Sequence, residues 1–182
     1  MYQSPDPEMG RLRATHLAAI VRLTPQTMSA NIVSGAVIVW TFSPGVPKAM
    51  WAWLALLILT CLFGLYNWWV RRRRSILTTA PQGLHRAAWH ATILSLVWAA
   101  VPVVWFPHAS GGQQMVVATL VTGMIGAGGF VLYPVPTASA AYVGVFSIAS
   151  LTALWRAGNP DFIPVAPLIF AYSPMVMAAS LT

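Results

Sequence analysis

Four histidines, three carboxylates and one cysteine are the foremost candidates in this sequence for acid–base, covalent or metal chemistry. Asp6, Glu8 and Asp161 all lie outside the apolar runs. That placement argues against paired acid–base carboxylates and carboxylate metal sites. Cys61 has no second cysteine for a disulfide or a Cys-based metal site, and reads as a small apolar filler. His85 and His90 are five residues apart, about 500° around a helix, and so do not share a face. A bis-histidine haem would have to pair His90 with His16; interfacial hydrogen bonding is the other reading of these side chains. A Walker-type glycine loop, an H-E-x-x-H pair and a G-x-S-x-G elbow are all absent from the sequence. No catalytic residue is assigned, and no metal or cofactor is expected apart from the haem alternative.

Aromatic and methionine side chains offer binding instead. Trp98, Trp105, Met124, Phe130, Tyr142 and Tyr172 form a candidate apolar ligand pocket among the last four helices. A core or lipid-facing stripe is the alternative for each of them. Four glycines, Gly123, Gly126, Gly128 and Gly129, fall within "MVVATLVTGMIGAGGFVL". Thr119–Gly123 and Thr122–Gly126 are small-x-x-x-small pairs that let helices approach closely; a flexible or pocket-lining helix is the other reading. Pro102, Pro164, Pro167 and Pro174 interrupt apolar runs, where each removes a backbone donor. Such breaks are tolerated where neighbours satisfy the freed carbonyl. The Tyr172-Ser173-Pro174 step is a candidate hinge.

The elements that must position these residues can be read from composition. With 58% hydrophobic and 7% charged residues, the chain has too few charged side chains to cover a water-soluble surface. The expectation is an all-α, polytopic membrane protein. Apolar runs long enough to cross the bilayer predict six transmembrane helices, at about 27–43, 49–70, 87–106, 114–132, 138–155 and 163–181. Thr24 is the candidate N-cap of the first and Pro25 its first helical residue, with Asn31 and Ser34 as polar residues inside it. The short "LYPVPTAS" link predicts that the fourth and fifth form a hairpin.

Lys and Arg set the orientation. Arg11, Arg13, Arg22, Arg71, Arg72, Arg73, Arg74 and Arg86 fall on one face of a six-span layout, and only Lys48 and Arg156 on the other. The eight-residue face is therefore predicted cytoplasmic, together with both termini. Arg71, Arg72, Arg73 and Arg74 anchor that topology directly behind Trp68 and Trp69, which suit the membrane–water boundary. Cations held there meet anionic lipid headgroups, so no nucleic-acid partner is expected. Roughly residues 1–24 make a cytoplasmic tail and 25–182 the membrane domain. Within the tail, "GRLRATHLAAIVRL" fits a short interfacial helix, either a membrane-surface lever or a basic flank that fixes topology.

The layout "RLRATHLAAIVRLTPQTMSANIVSGAVIVW", "WWVRRRR", "HRAAWHATILSLVWAAVPVVWF" and "PHASGGQQMVVATLVTGMIGAGGFVLYPVPTASAAYV" resembles six-helix MASE-like sensor modules of bacterial signalling proteins. These modules precede diguanylate cyclase, phosphodiesterase, other nucleotide cyclase or histidine-kinase domains. The resemblance implies a homodimeric sensory domain in the bacterial inner membrane, passing a cue through its last helix to a cytoplasmic output domain outside this sequence. Enzymatic activity, a cyclase above all, would belong to that domain. A small transporter or lipid-handling protein, and a haem- or pigment-binding subunit of a membrane complex, are the alternatives. The absence of carboxylates at membrane depth weighs against a transporter.

Overall fold

The computed structural model describes the backbone of residues 7–71, 81–162, 165–169 and 171, and the side chains of 22–70, 85–162, 165–169 and 171. Among the described residues every regular element is helical. Helices α1 (Pro7–Thr41), α2 (Lys48–Arg71), α3 (Pro81–Ala100), α4 (Gly111–Leu132) and α5 (Pro136–Ala157) are followed by a 3-10 turn at Pro160–Phe162. Four segments are long and apolar enough to cross a membrane: Lys48–Val70, His85–His108, Gly111–Leu132 and Pro136–Ala157. The chain is an all-helical membrane protein on that basis. Helix α1 is not one of the four, and of the expected sixth span the described residues are 165–169 and 171, which are helical. The Tyr172-Ser173-Pro174 hinge and Arg72, Arg73 and Arg74 lie outside the described residues.

Helix α1 corrects the expected break at Thr24. It runs unbroken for 35 residues with Pro25 inside it, so Thr24 is not an N-cap and the segments expected as an interfacial helix and a first span belong to one helix. Pro25 has no N–H to give the preceding turn. The Thr27 hydroxyl closes the adjacent turn from the side, reaching the carbonyls of Leu23 at 3.2 Å and Thr24 at 3.0 Å.

The five helices form a closed circuit in which α1 lies beside α2, α2 beside α3, α3 beside α5, α5 beside α4, and α4 beside α1. Helix α2 turns one stripe inward, Met50, Trp53, Leu57, Cys61 and Gly64, at helical spacing. Its seam with α1 is notched from both sides. A Cβ on Gly35 of α1 would come 2.6 Å from Leu57, and one on Gly64 of α2 would come 3.1 Å from Met28 Sδ.

The expected hairpin of the fourth and fifth spans is present as α4 and α5, joined through Tyr133–Val135 with the Val135 N–H on the Leu132 carbonyl at 2.8 Å. The glycines of α4 divide between two surroundings. Gly123 and Gly126 have open space where a Cβ would sit, while Gly128 lies directly under the Tyr142 ring of α5. Close helix approach through small side chains belongs instead to α3 and α5, which bury Ala91 and Ser95, and Ala138, Ser139, Ala149, Ser150 and Ala153. Gly158, at φ 62°, ends α5 in the left-handed conformation that a glycine adopts without strain.

Candidate functional site at the interrupted third helix

Pro102 interrupts α3. Without an N–H at this position the ladder cannot continue i→i−4, and Val101–Trp105 form a π turn in which the Phe106 N–H reaches back to the Val101 carbonyl. A 3-10 turn, Phe106–His108, completes the end of the helix. Single π turns often mark functional positions.

Two side chains from other helices bond to carbonyls around the break. The Trp53 indole N–H of α2 donates to the Val97 carbonyl at 2.7 Å. The Arg156 guanidinium of α5 donates to the Val103 carbonyl at 2.8 Å. Pro107, four residues on, has no N–H to give the Val103 carbonyl, so the Arg156 bond supplies a donor that the backbone cannot.

Three tryptophans surround the interruption. Trp53 meets Trp98 edge-on at 5.3 Å between ring centroids, and Trp105 at 5.9 Å. Both arrangements lie in the favourable range for aromatic pairs. Trp98 is fully buried, and its indole N–H donates to Asn31 Oδ1 of α1 at 2.7 Å. Asn31 in turn donates through Nδ2 to the Thr27 carbonyl at 2.7 Å. The buried amide is thus bonded through both its polar atoms, as a dry interior demands.

Trp105 also faces a cleft. An open depression of about 380 Å³ lies at this end of the bundle, with Phe42, Pro44 and Pro47 of the α1–α2 loop on one side and Trp105, His108 and Gln113 on the other. Gln113 fixes the rim: its side chain caps the Ser110 N–H at 2.9 Å and reaches the Thr41 carbonyl at 3.2 Å. Phe162 packs on Phe106 at 5.5 Å nearby. The 42–47 loop, the α3–α4 turn and the segment after α5 therefore share one end, and the start of α3 lies at the other.

The expected pocket residues do not converge on one cavity. Trp98 and Trp105 belong to the tryptophan cluster, and Met124 is half-buried against the core. Tyr142 is buried over Gly128 with its ring 4.9 Å from Phe146. Phe130 points outward, 80% exposed. Tyr172 lies outside the described residues. The residues that complete the site, Asn31, Trp53, Arg156, Phe42 and Gln113, were not in the expected pocket. Asn31 carried the clearest signal, as an amide inside an apolar run.

The histidines also separate. His85 is exposed and accepts from the Trp89 indole at 3.0 Å. His90 lies beside the Thr60 carbonyl at 3.3 Å, stacks on Phe63 and packs over Gly64. The side chain of His16, its proposed haem partner, lies outside the described residues. His108 is exposed at the cleft.

Comparison of the chain with family models, curated proteins and solved structures finds no match.

Proposed function

We propose that this chain is the membrane-embedded sensory and dimerisation domain of a bacterial signalling protein. It sits in the inner membrane as six spans with both termini cytoplasmic, in the manner of the MASE-like modules its sequence resembles. A cue is received at the cleft end and passed through the last helix to a cytoplasmic output domain, a diguanylate or other nucleotide cyclase, outside this sequence.

One observation carries the reading. Trp105 belongs both to the cleft and to the tryptophan cluster, and the cluster is bonded through Trp98 to Asn31 of α1. An occupant of the cleft would touch Trp105 at a helix segment whose carbonyls are held by side chains. An occupant that prefers one placement of Trp105 shifts the whole chain of contacts by that difference in affinity. Lipid contact along the outward apolar faces offers a second input of the same kind.

The test is to place residues 1–182 ahead of a diguanylate cyclase reporter and measure cyclic di-GMP in cells. Trp105→Ala and Asn31→Leu, at equal membrane abundance, should each change the basal output severalfold. Output that responds to neither substitution would sink the proposal. Solute uptake by the purified chain in vesicles would favour a transporter instead, and a Soret band in its absorption spectrum a haem subunit.

A further inference from the structure

The seam of α1, α2 and α3 brings together two metal-ligating side chains that the sensory reading does not use, and the helix register places a third near them. On α2, the position a Cβ of Gly64 would occupy lies 3.0 Å from His90 Nε2 of α3 and 3.1 Å from Met28 Sδ of α1. The imidazole nitrogen and the thioether sulfur are therefore within about 6 Å of each other. The missing side chain of Gly64 provides the gap between them.

Cys61 supplies a third donor. It is fully buried and free, one helical turn before Gly64 on the same inward stripe. The register of the seam fixes its level. Gly35 faces Leu57 and Met28 faces Gly64, which sets Cys61 beside Asn31, one turn from Met28. Trp53 bonds to Val97 and Thr60 lies against His90, which sets Cys61 at the level of His90 on α3. Among the described residues no three of His, Cys, Asp and Glu cluster; the thioether of Met28 is what completes this trio.

We propose that Met28, Cys61 and His90 bind one copper(I) ion. Thiolate, thioether and imidazole are the soft and borderline ligands that suit this ion. Charge points the same way. Copper(I) bound to one thiolate is a neutral unit, whereas a divalent ion would leave a net charge in an apolar interior at high cost. Asp161, the carboxylate among residues with described side chains, sits at the opposite end of the bundle beside Phe162.

The protons balance simply. As the Cu–S bond forms, the Cys61 S–H bond breaks and its proton passes to solvent. His90 moves its N–H from Nε2 to Nδ1, which frees the Nε2 lone pair with no net proton change. Copper stays in the +1 state throughout. The nearby Thr60 carbonyl loses only a long contact, at 3.3 Å.

The experiment titrates the purified full chain in detergent with copper(I) against the chromophoric chelator bathocuproine disulfonate. One equivalent should be retained, and a copper K-edge absorption spectrum of that wild-type complex should show both sulfur and nitrogen in the first shell. Met28→Leu, Cys61→Ser and His90→Gln should each weaken retention by about tenfold or more, and Met124→Leu should leave it unchanged. Gly64→Ala should weaken it as well, by filling the gap. No retention against the chelator, a first shell without sulfur, or zinc(II) held in preference to copper(I) would each overturn the site. The spectrum uses the wild type, so it decides the matter even where a variant fails to fold.

Discussion

The indole N–H of Trp98 and the side-chain oxygen of Asn31 lie 2.7 Å apart, and this bond joins α3 to α1 across the interior of the bundle. Both residues are buried, so removing either partner leaves the other without water to replace it. Asn31→Leu should lower stability in detergent by about 1–3 kcal/mol, read as a fall in the thermal unfolding midpoint. Adding Trp98→Phe removes the stranded donor. The double variant should therefore lose less than the sum of the two single ones, and strict additivity would show that the bond contributes no coupling.

The two kinds of glycine in α4 should respond in opposite directions. Gly128→Ala puts a methyl group into the Tyr142 ring and should cost about 1–3 kcal/mol. Gly123→Ala meets open space and should be neutral or stabilising by up to about 1 kcal/mol, because alanine is the better helix former. Thermal melts of the two variants side by side check this, and equal effects would contradict the packing of Tyr142 on Gly128.

Pro102→Ala returns an N–H to α3 and permits the ordinary i→i−4 ladder. Closing the π turn rotates the residues beyond it by up to about 100°, one residue of helix, and carries Trp105 away from Trp53. The expected result is a change in near-ultraviolet circular dichroism from the indoles with stability shifted by less than about 1 kcal/mol. An unchanged spectrum would mean that packing, not the missing donor, sets the turn.

The shared end of the 42–47 loop and the segment after α5 can be tested by labelling. In a Cys61→Ser background, cysteines at Ser43 and Asn159 should react with an impermeant maleimide from the same side of the membrane. A cysteine at His85 should react from the other. Labelling of positions 43 and 159 from opposite sides would contradict the helix order.

Much of the fold was legible because its signals are local. Apolar length marks α2 to α5, the short link between Leu132 and Pro136 dictates a hairpin, and Pro102 announces both a break and a need for outside donors. The continuity of α1 was not legible, since Thr24-Pro25 suits a helix start as well as an interior turn closed by the Thr27 hydroxyl. The dispersal of the described pocket candidates has a different cause. In a membrane the outward face is as apolar as the core, so hydrophobic periodicity cannot say which way a side chain points. Phe130 and Phe146 are the same residue type on neighbouring helices, yet one is 80% exposed and the other fully buried. Trp53 escaped notice because its partner is a backbone carbonyl, that of Val97, 44 positions away in the chain.

The paired notches between α1 and α2 limit how this hairpin can move. Leu57 seats against Gly35 and Met28 against Gly64, and on each helix the two positions are seven residues, or two turns, apart. Like two dowels in one joint, they fix sliding and rotation together. A slip of one residue, about 1.5 Å, would lift both large side chains out of their seats at once. Sliding between these two helices would therefore have to empty both seats together.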